Sequence, residues 1–177
     1  MTSAPAPDAR PGDSAPGRGT AATGDTADDG VRVRRATAAD ARAIAHVHRE
    51  SRRVTMPYLP PQRHDLDGVT AWIRDQLLPV CTTWVAERGT DVIGYAAVRG
   101  DALEDLYLHP DELRRGLGTR LLETALGHRP DGLTLHVFEA NTGARAFYAH
   151  HGFTTVATGS DNMEGLPELT LHRGPAR

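Results

Sequence analysis

From Val31 onward, apolar positions recur at one of two periods, and the period switches at turn residues. The stretch "VRVRRA" alternates, as a half-buried strand does. "TAADARAIAHVHRES" follows with Ile44, Val47 and His48 at helical spacing and Asp40 as the expected N-cap. After the irregular, proline-rich "RRVTMPYLPPQRH", helical spacing returns through Val69, Trp72, Ile73, Gln76 and Leu77, until Pro79 ends it. "TTWVAERGTDVIGYAAVRG" predicts two apolar strands around a turn at 88–91, and "ALEDLYLHP" a further strand. "LTLHVF" is expected as a strand between the helices "RRGLGTRLLETALGH" and "NTGARAFYAHHG". The closing strands "FTTVATG" and "ELTLHR" flank the polar loop "SDNMEGLP". The predicted order, β α α β β β α β α β β, specifies a mixed α/β sheet with an antiparallel first half and one crossover helix in the middle. It contains no internal repeat.

Residues 1–30 are set apart by composition. They contain no Val, Ile, Leu, Phe, Tyr or Trp and are dominated by Ala, Pro, Gly, Ser, Thr and Asp. Such a segment buries too little apolar surface to offset its ordering entropy, so it reads as a disordered tail before one domain at 31–177. It lacks the apolar run of a secretory signal, and no stretch approaches the ~20 apolar residues of a membrane span. The expected location is cytoplasmic.

Two of the 20 basic residues and five of the 23 acidic ones fall in the tail, which leaves 18 arginines against 18 acids in the domain. A formally neutral domain is a poor nucleic-acid binder, since that binding rests on neutralising several phosphates. Cys81 is the one cysteine, so neither a disulfide framework nor a thiolate metal site is available. His46 and His48 lie two apart on a predicted helix and point to different sides, whereas paired metal ligands sit three or four apart. No metal is expected.

The segment "LHPDELRRGLGTRLL" places Gly116 and Gly118 at the start of a helix, where glycine propagates poorly. A helix N-terminus offers unpaired N–H groups and the positive end of the peptide dipoles, and absent side chains let an anion reach them. Close packing of helix on sheet would call for the same glycines. A dinucleotide fingerprint, G-x-G-x-x-G, is excluded by Leu121 at its third position and by an element order that does not alternate throughout.

"LYLHPDELRRGLGTRLL" followed by "LHVFEANTGARAFYAHHGF" resembles the two signature segments of the GCN5-related N-acetyltransferase (GNAT) family. The second matches at Asn141, Ala144, Phe147, Tyr148, Gly152 and Phe153 in one register. The resemblance implies the acyl-CoA N-acyltransferase fold. That fold is a central, mostly antiparallel twisted sheet with a strand–helix–strand–helix core that binds acetyl-CoA, here running from "ALEDLYLHP" to "NTGARAFYAHHG". One departure stands out: the family's Arg or Gln falls on Leu113 and its frequent aromatic on Glu112.

The resemblance further implies that the pantetheine arm pairs with Leu106, Tyr107 and Leu108 between splayed strands. The pyrophosphate then rests on Arg114, Arg115, Gly116, Leu117, Gly118 and Thr119, and Asn141 caps the following helix while reaching CoA. Tyr148 is the implied acid for the departing thiolate. For the base, the family's carboxylate positions fall on Ala102 and His136. Glu104, two residues beyond Ala102 and so expected on its face, is the first choice, with Asp105 opposite and His136 second. Met56, Tyr58 and His64, with Asn162 and Glu164 across the site, are expected to line the acceptor pocket. The implied reaction is direct acetylation of a small-molecule primary amine. Acetylation of a protein N-terminus or side chain and a non-catalytic CoA-binding module are the alternatives, and a homodimer is left open.

Overall fold

The computed structural model describes residues 30–175. The expected N-terminal tail lies outside them, apart from Gly30. Within them a seven-stranded sheet runs in the order β1-β2-β3-β4-β5-β7-β6. The strands are β1 (Val31–Arg35), β2 (Thr82–Arg88), β3 (Asp91–Arg99), β4 (Ala102–Leu108), β5 (Leu133–Phe138), β6 (Thr154–Gly159) and β7 (Glu168–Arg173). Every neighbouring pair is antiparallel except β4 with β5.

Helices α1 (Ala41–Thr55) and α2 (Leu66–Trp72) cover one face, while α3 (Leu117–His128) and α4 (Thr142–His150) cover the other. Burial on both faces is why β2 and β3 read as almost continuous apolar runs. Val85, Tyr95 and Ala97 pack under α1 and α2 with Ile44 and Ile73, and Trp84, Ala86, Ala96 and Val98 join Leu121, Leu122 and Ala125 of α3 on the far side. Gly94 is the glycine that lets α3 approach: a Cβ there would lie 2.8 Å from Leu108 and 3.2 Å from Leu121.

The ends of the helices follow local chemistry. Thr37 and Asp40 form a capping box one turn ahead of the expected α1 cap: the Asp40 carboxylate accepts from the Thr37 N–H at 2.7 Å and is paired with Arg34. Asp65 caps α2 by accepting from the Gly68 N–H. Beyond Trp72 the helix widens into a π-turn over Ile73–Leu77, which keeps both of those side chains buried before Pro79.

Candidate active site

Strands β4 and β5 are joined only at their beginnings, where Ala102 faces Thr134 and Leu103 faces Leu135. Beyond Leu103 they part. Strand β5 stays paired with β7 along its whole length and β4 stays paired with β3 as far as Leu108, so the gap is an opening through the sheet itself. The His109 N–H bonds the Ile93 carbonyl on the β3 side at 2.8 Å. Alternation of amides along a strand then turns the Leu106 and Leu108 N–H groups toward the open side.

At the end of β4 the chain makes a short 3₁₀ turn and enters α3 through Gly116, whose φ of +79° is left-handed and whose Cα faces open space. Arg114 is also left-handed, at φ 61°. The two glycines therefore differ in role. Gly116 supplies a backbone conformation that L residues resist, next to free room for an anion. Gly118 is buried, and a Cβ there would touch Phe147 and Leu108 at 3.4–3.5 Å. Glu112 is drawn inside by Arg88 at 2.6 Å, with Arg115 3.8 Å away, and this pair holds its carboxyl below the usual range. That buttress fills the place where the signature carries an aromatic, and Leu113 stands exposed beside it.

Tyr148 packs in the core on the α3/α4 face of the sheet. It is 8 % exposed, wedged between the rings of Phe147 and Phe153, and its hydroxyl has no hydrogen-bond partner among the described residues. Burial raises its pKa, and the electrostatic influence of Tyr107 and Asp105 adds to the rise. Tyr107 and Asp105 enter from the α1/α2 face, opposite Tyr95 and Ala97 respectively.

Asp105 gets there because β4 carries a bulge. Ala97 pairs with Asp105 and Val98 with Leu103, which leaves Glu104 as the extra residue. Leu103 packs on the α3/α4 face, so Ala102 and Asp105 both belong to the α1/α2 face. The expectation that Glu104 shares the face of Ala102, with Asp105 opposite, is corrected by that single inserted residue. Glu104 instead pairs with Arg99 at 2.7 Å. Asp105 is partly buried, and burial pushes its pKa up to about 6 even though Tyr95 donates to it at 3.1 Å.

The acceptor side is built from the irregular segment after α1. Arg52 of α1 pairs with Glu164 of the β6–β7 loop at 3.2 Å, with both side chains about 15 % exposed, and its charge also bears on Tyr107 and Tyr58. Tyr58 packs edge-on against Phe138, and its buried hydroxyl approaches Asn141 without a well-formed bond. A cavity of about 400 Å³ opens beside them, lined by Tyr58, Phe138, Glu139, Leu166 and Pro167. A second, about 410 Å³, lies between α4 and strands β6 and β7, away from the opening. Asn141 caps α4 by accepting from Ala144 N–H, and Asn162 ties its loop to Leu166. Met56 is half-buried at the end of α1, whereas His64 is exposed beside the start of α2. His136 is half-exposed on β5, its Nδ1 3.7 Å from Glu168. Among the described residues no group of three His, Cys, Asp or Glu side chains could hold a metal, and no helix is long and apolar enough to cross a membrane.

This opening, with a glycine-led helix at one end and a buried tyrosine across it, lies within residues 44–153, which match the family described as Acetyltransferase (GNAT) family. The chain belongs to that family of acetyltransferases. It is 30 % identical over 138 residues to the peptidyl-lysine N-acetyltransferase YjaB of Salmonella typhimurium, an alignment covering 77 % of this chain and 90 % of the relative. The solution structure of apo YjaB from Escherichia coli superposes with a TM-score of 0.68 at 26 % identity, covering 82 % of this chain and 99 % of that one. YncA of Salmonella typhimurium, solved with acetyl-CoA, shares the fold with a TM-score of 0.66 at 21 % identity, over 84 % of this chain and 95 % of its own. His48, Tyr95 and Asp105, joined by hydrogen bonds, and Arg52, whose charge bears on Tyr107, are residues that the sequence motifs do not point to. The helical spacing that placed His48 in the core was the one available signal.

Proposed function

We propose that the chain transfers the acetyl group of acetyl-CoA to a primary amine on an unbranched alkyl stem, a lysine side chain of a peptide being the acceptor that the similarity to YjaB favours. The observation that carries this reading is the β4/β5 opening, with Tyr148 packed on one face of the sheet and Asp105 set on the other. The fit to acetyl-CoA rests on two features. Leu106 and Leu108 present unpaired strand amides to an extended pantetheine arm, with Tyr107 between them. The stretch from Arg114 through Arg115, Gly116, Leu117 and Gly118 to Thr119 presents a helix N-terminus to the pyrophosphate.

Asp105 accepts a proton from the incoming ammonium, which an alkyl amine needs to lose before its lone pair is available. Burial has already brought this carboxyl to about 6, so it is ionised at neutral pH yet basic enough to serve. The Leu108 N–H bonds the carbonyl oxygen as it gains charge. Tyr148, kept protonated by burial, hands its proton to the departing sulfur. The role expected for Glu104 thus passes to its neighbour, and the Glu104–Arg99 pair fixes the bulge. Arg52 and Glu164 neutralise each other, which leaves Asp105 as the charge that draws a cation inward.

A free small amine is the second reading. It is favoured by the Arg52–Glu164 bridge and the Tyr58–Phe138 contact, which close the acceptor end from both sides. Thiol release measured with acetyl-CoA against lysine-containing peptides and against free diamines separates the two. Faster turnover on peptides at equal concentration supports the first, and turnover on free amines alone supports the second. In either case Tyr148→Phe should cut kcat at least tenfold with acetyl-CoA affinity unchanged. Full kcat in that variant would remove Tyr148 from the chemistry.

A further inference from the structure

Two deeply buried polar side chains, His48 and Tyr95, have no part in the steps above. Tyr95 lies mid-strand in β3 with 0 % exposure, and His48 of α1 is 5 % exposed. The His48 Nδ1 lies 2.8 Å from the Tyr95 hydroxyl, and that hydroxyl donates to Asp105 Oδ2 at 3.1 Å. Rings of Tyr107 and Trp72, at 4.8 and 6.0 Å, hold the imidazole in place.

Proton counting fixes the direction of this chain. A tyrosine hydroxyl has one proton, and Tyr95 gives it to Asp105. The Tyr95 oxygen must then accept from His48, so Nδ1 is the protonated nitrogen of that ring. The ring is neutral, because burial first, and the charges of Arg52 and Arg49 after it, hold the imidazole down to about 3. Every proton in the chain points toward Asp105. Oδ2 is thereby occupied, while Oδ1 has no partner among the described residues.

We propose that His48 and Tyr95 are positioning residues, a one-way hydrogen-bond chain that locks the Asp105 carboxylate with Oδ1 turned to the acceptor amine. This rests on the reading of Asp105 as the base. In the step it serves, one N–H bond of the ammonium breaks and its electron pair stays on nitrogen as the attacking lone pair. The proton goes to Oδ1, and Tyr95 and His48 keep theirs. The other groups facing Asp105 are Glu104 and Tyr107 of β4, Arg52 of α1, Tyr148 of α4, and Cys81 ahead of β2, whose thiol burial raises to about 11 and so keeps neutral.

The test follows the Asp105 carboxyl directly, by carbon NMR titration in the full chain, beside the pH dependence of kcat/KM. Tyr95→Phe removes one hydroxyl and nothing else. It should raise both the carboxyl midpoint and the acidic limb by about one pH unit, a tenfold loss of rate below the limb, with KM for acetyl-CoA unchanged. His48→Leu should move both the same way, and His48→Asn, which keeps a donor near the Nδ1 position, should restore them. In the native chain nitrogen NMR should find His48 neutral and protonated at Nδ1 from pH 6 to 9. A midpoint unmoved in Tyr95→Phe and His48→Leu, or a His48 protonated at Nε2, overturns the chain. A midpoint that moves while the rate profile stays put keeps the chain and removes Asp105 as the base.

Discussion

Asp105 owes its position to one extra residue. With Glu104 bulged out and tied to Arg99, the next side chain turns under α1 and α2, among Tyr95, Tyr107 and His48, instead of out along the strand. A carboxylate is costly in such surroundings, which is why its proton affinity rises. The direction of the pH effect follows: the base acts when ionised, so kcat/KM should climb as pH rises through about 6. Asp105→Asn should lower kcat/KM at neutral pH by about a hundredfold and abolish that limb. An unchanged limb in this variant would assign it to another group. Strict alternation along "ALEDLYL" led to Glu104 instead, because a bulge breaks the period of two without leaving a glycine or proline to mark it. By contrast Gly116, Gly118, Asn141 and Tyr148 stand out in the sequence as a motif, since each is fixed to an element whose spacing the sequence displays.

At the scale of elements, the site depends on how α3 begins. The turn from His109 to Gly116 combines two left-handed residues with a 3₁₀ step, and little of its backbone is held by regular structure. Glu112 supplies the hold through Arg88 at the end of β2. A tie of this kind, half open to water, contributes about 1 kcal/mol. Glu112→Gln should therefore weaken acetyl-CoA binding about fivefold in calorimetry and leave kcat at saturation unchanged. Equal affinity in the variant would show that the turn holds itself. The exchange of an aromatic for this ion pair was visible in the sequence as a departure at Glu112. Its partner was not, because Arg88 is 24 residues away and only the pairing of β2, β3 and β4 brings it near.

The whole molecule carries helices on both faces of one sheet, and its order of elements was readable throughout because each change of period coincides with a turn signal. What escaped the sequence was depth: which polar residues the two layers enclose. Two of them oppose each other in the balance of stability against pH. His48 is buried neutral, so its contribution is complete above pH 6.5 and is lost as pH falls toward about 3. Asp105 has its folded pKa raised from 3.8 to about 6, so its contribution is complete below 3.8 and is lost as pH rises through 6. Between pH 4 and 6 the two slopes offset, and the melting temperature of the native chain should be nearly flat there. Asp105→Asn removes one slope, and its melting temperature should fall steadily as pH drops from 6.5 to 4. Parallel curves for the two proteins would mean that Asp105 does not carry the raised pKa described, and a flat curve for the variant that His48 is not the neutral buried group. Below pH 4 both should lose stability together, as Asp40, held down to about 2 chiefly by its bond to Arg34, takes up its proton.

The central claim is that the parting of β4 from β5 and the glycine-led start of α3 together form the seat of acetyl-CoA. Titration calorimetry of acetyl-CoA into the full chain tests it most directly, with Gly116→Val as the control, since a β-branched residue resists the left-handed backbone that the turn requires. One-to-one binding at about micromolar affinity, weakened at least tenfold in a control that stays folded, is the predicted result. No binding to the native chain, or equal binding to both proteins, would contradict it.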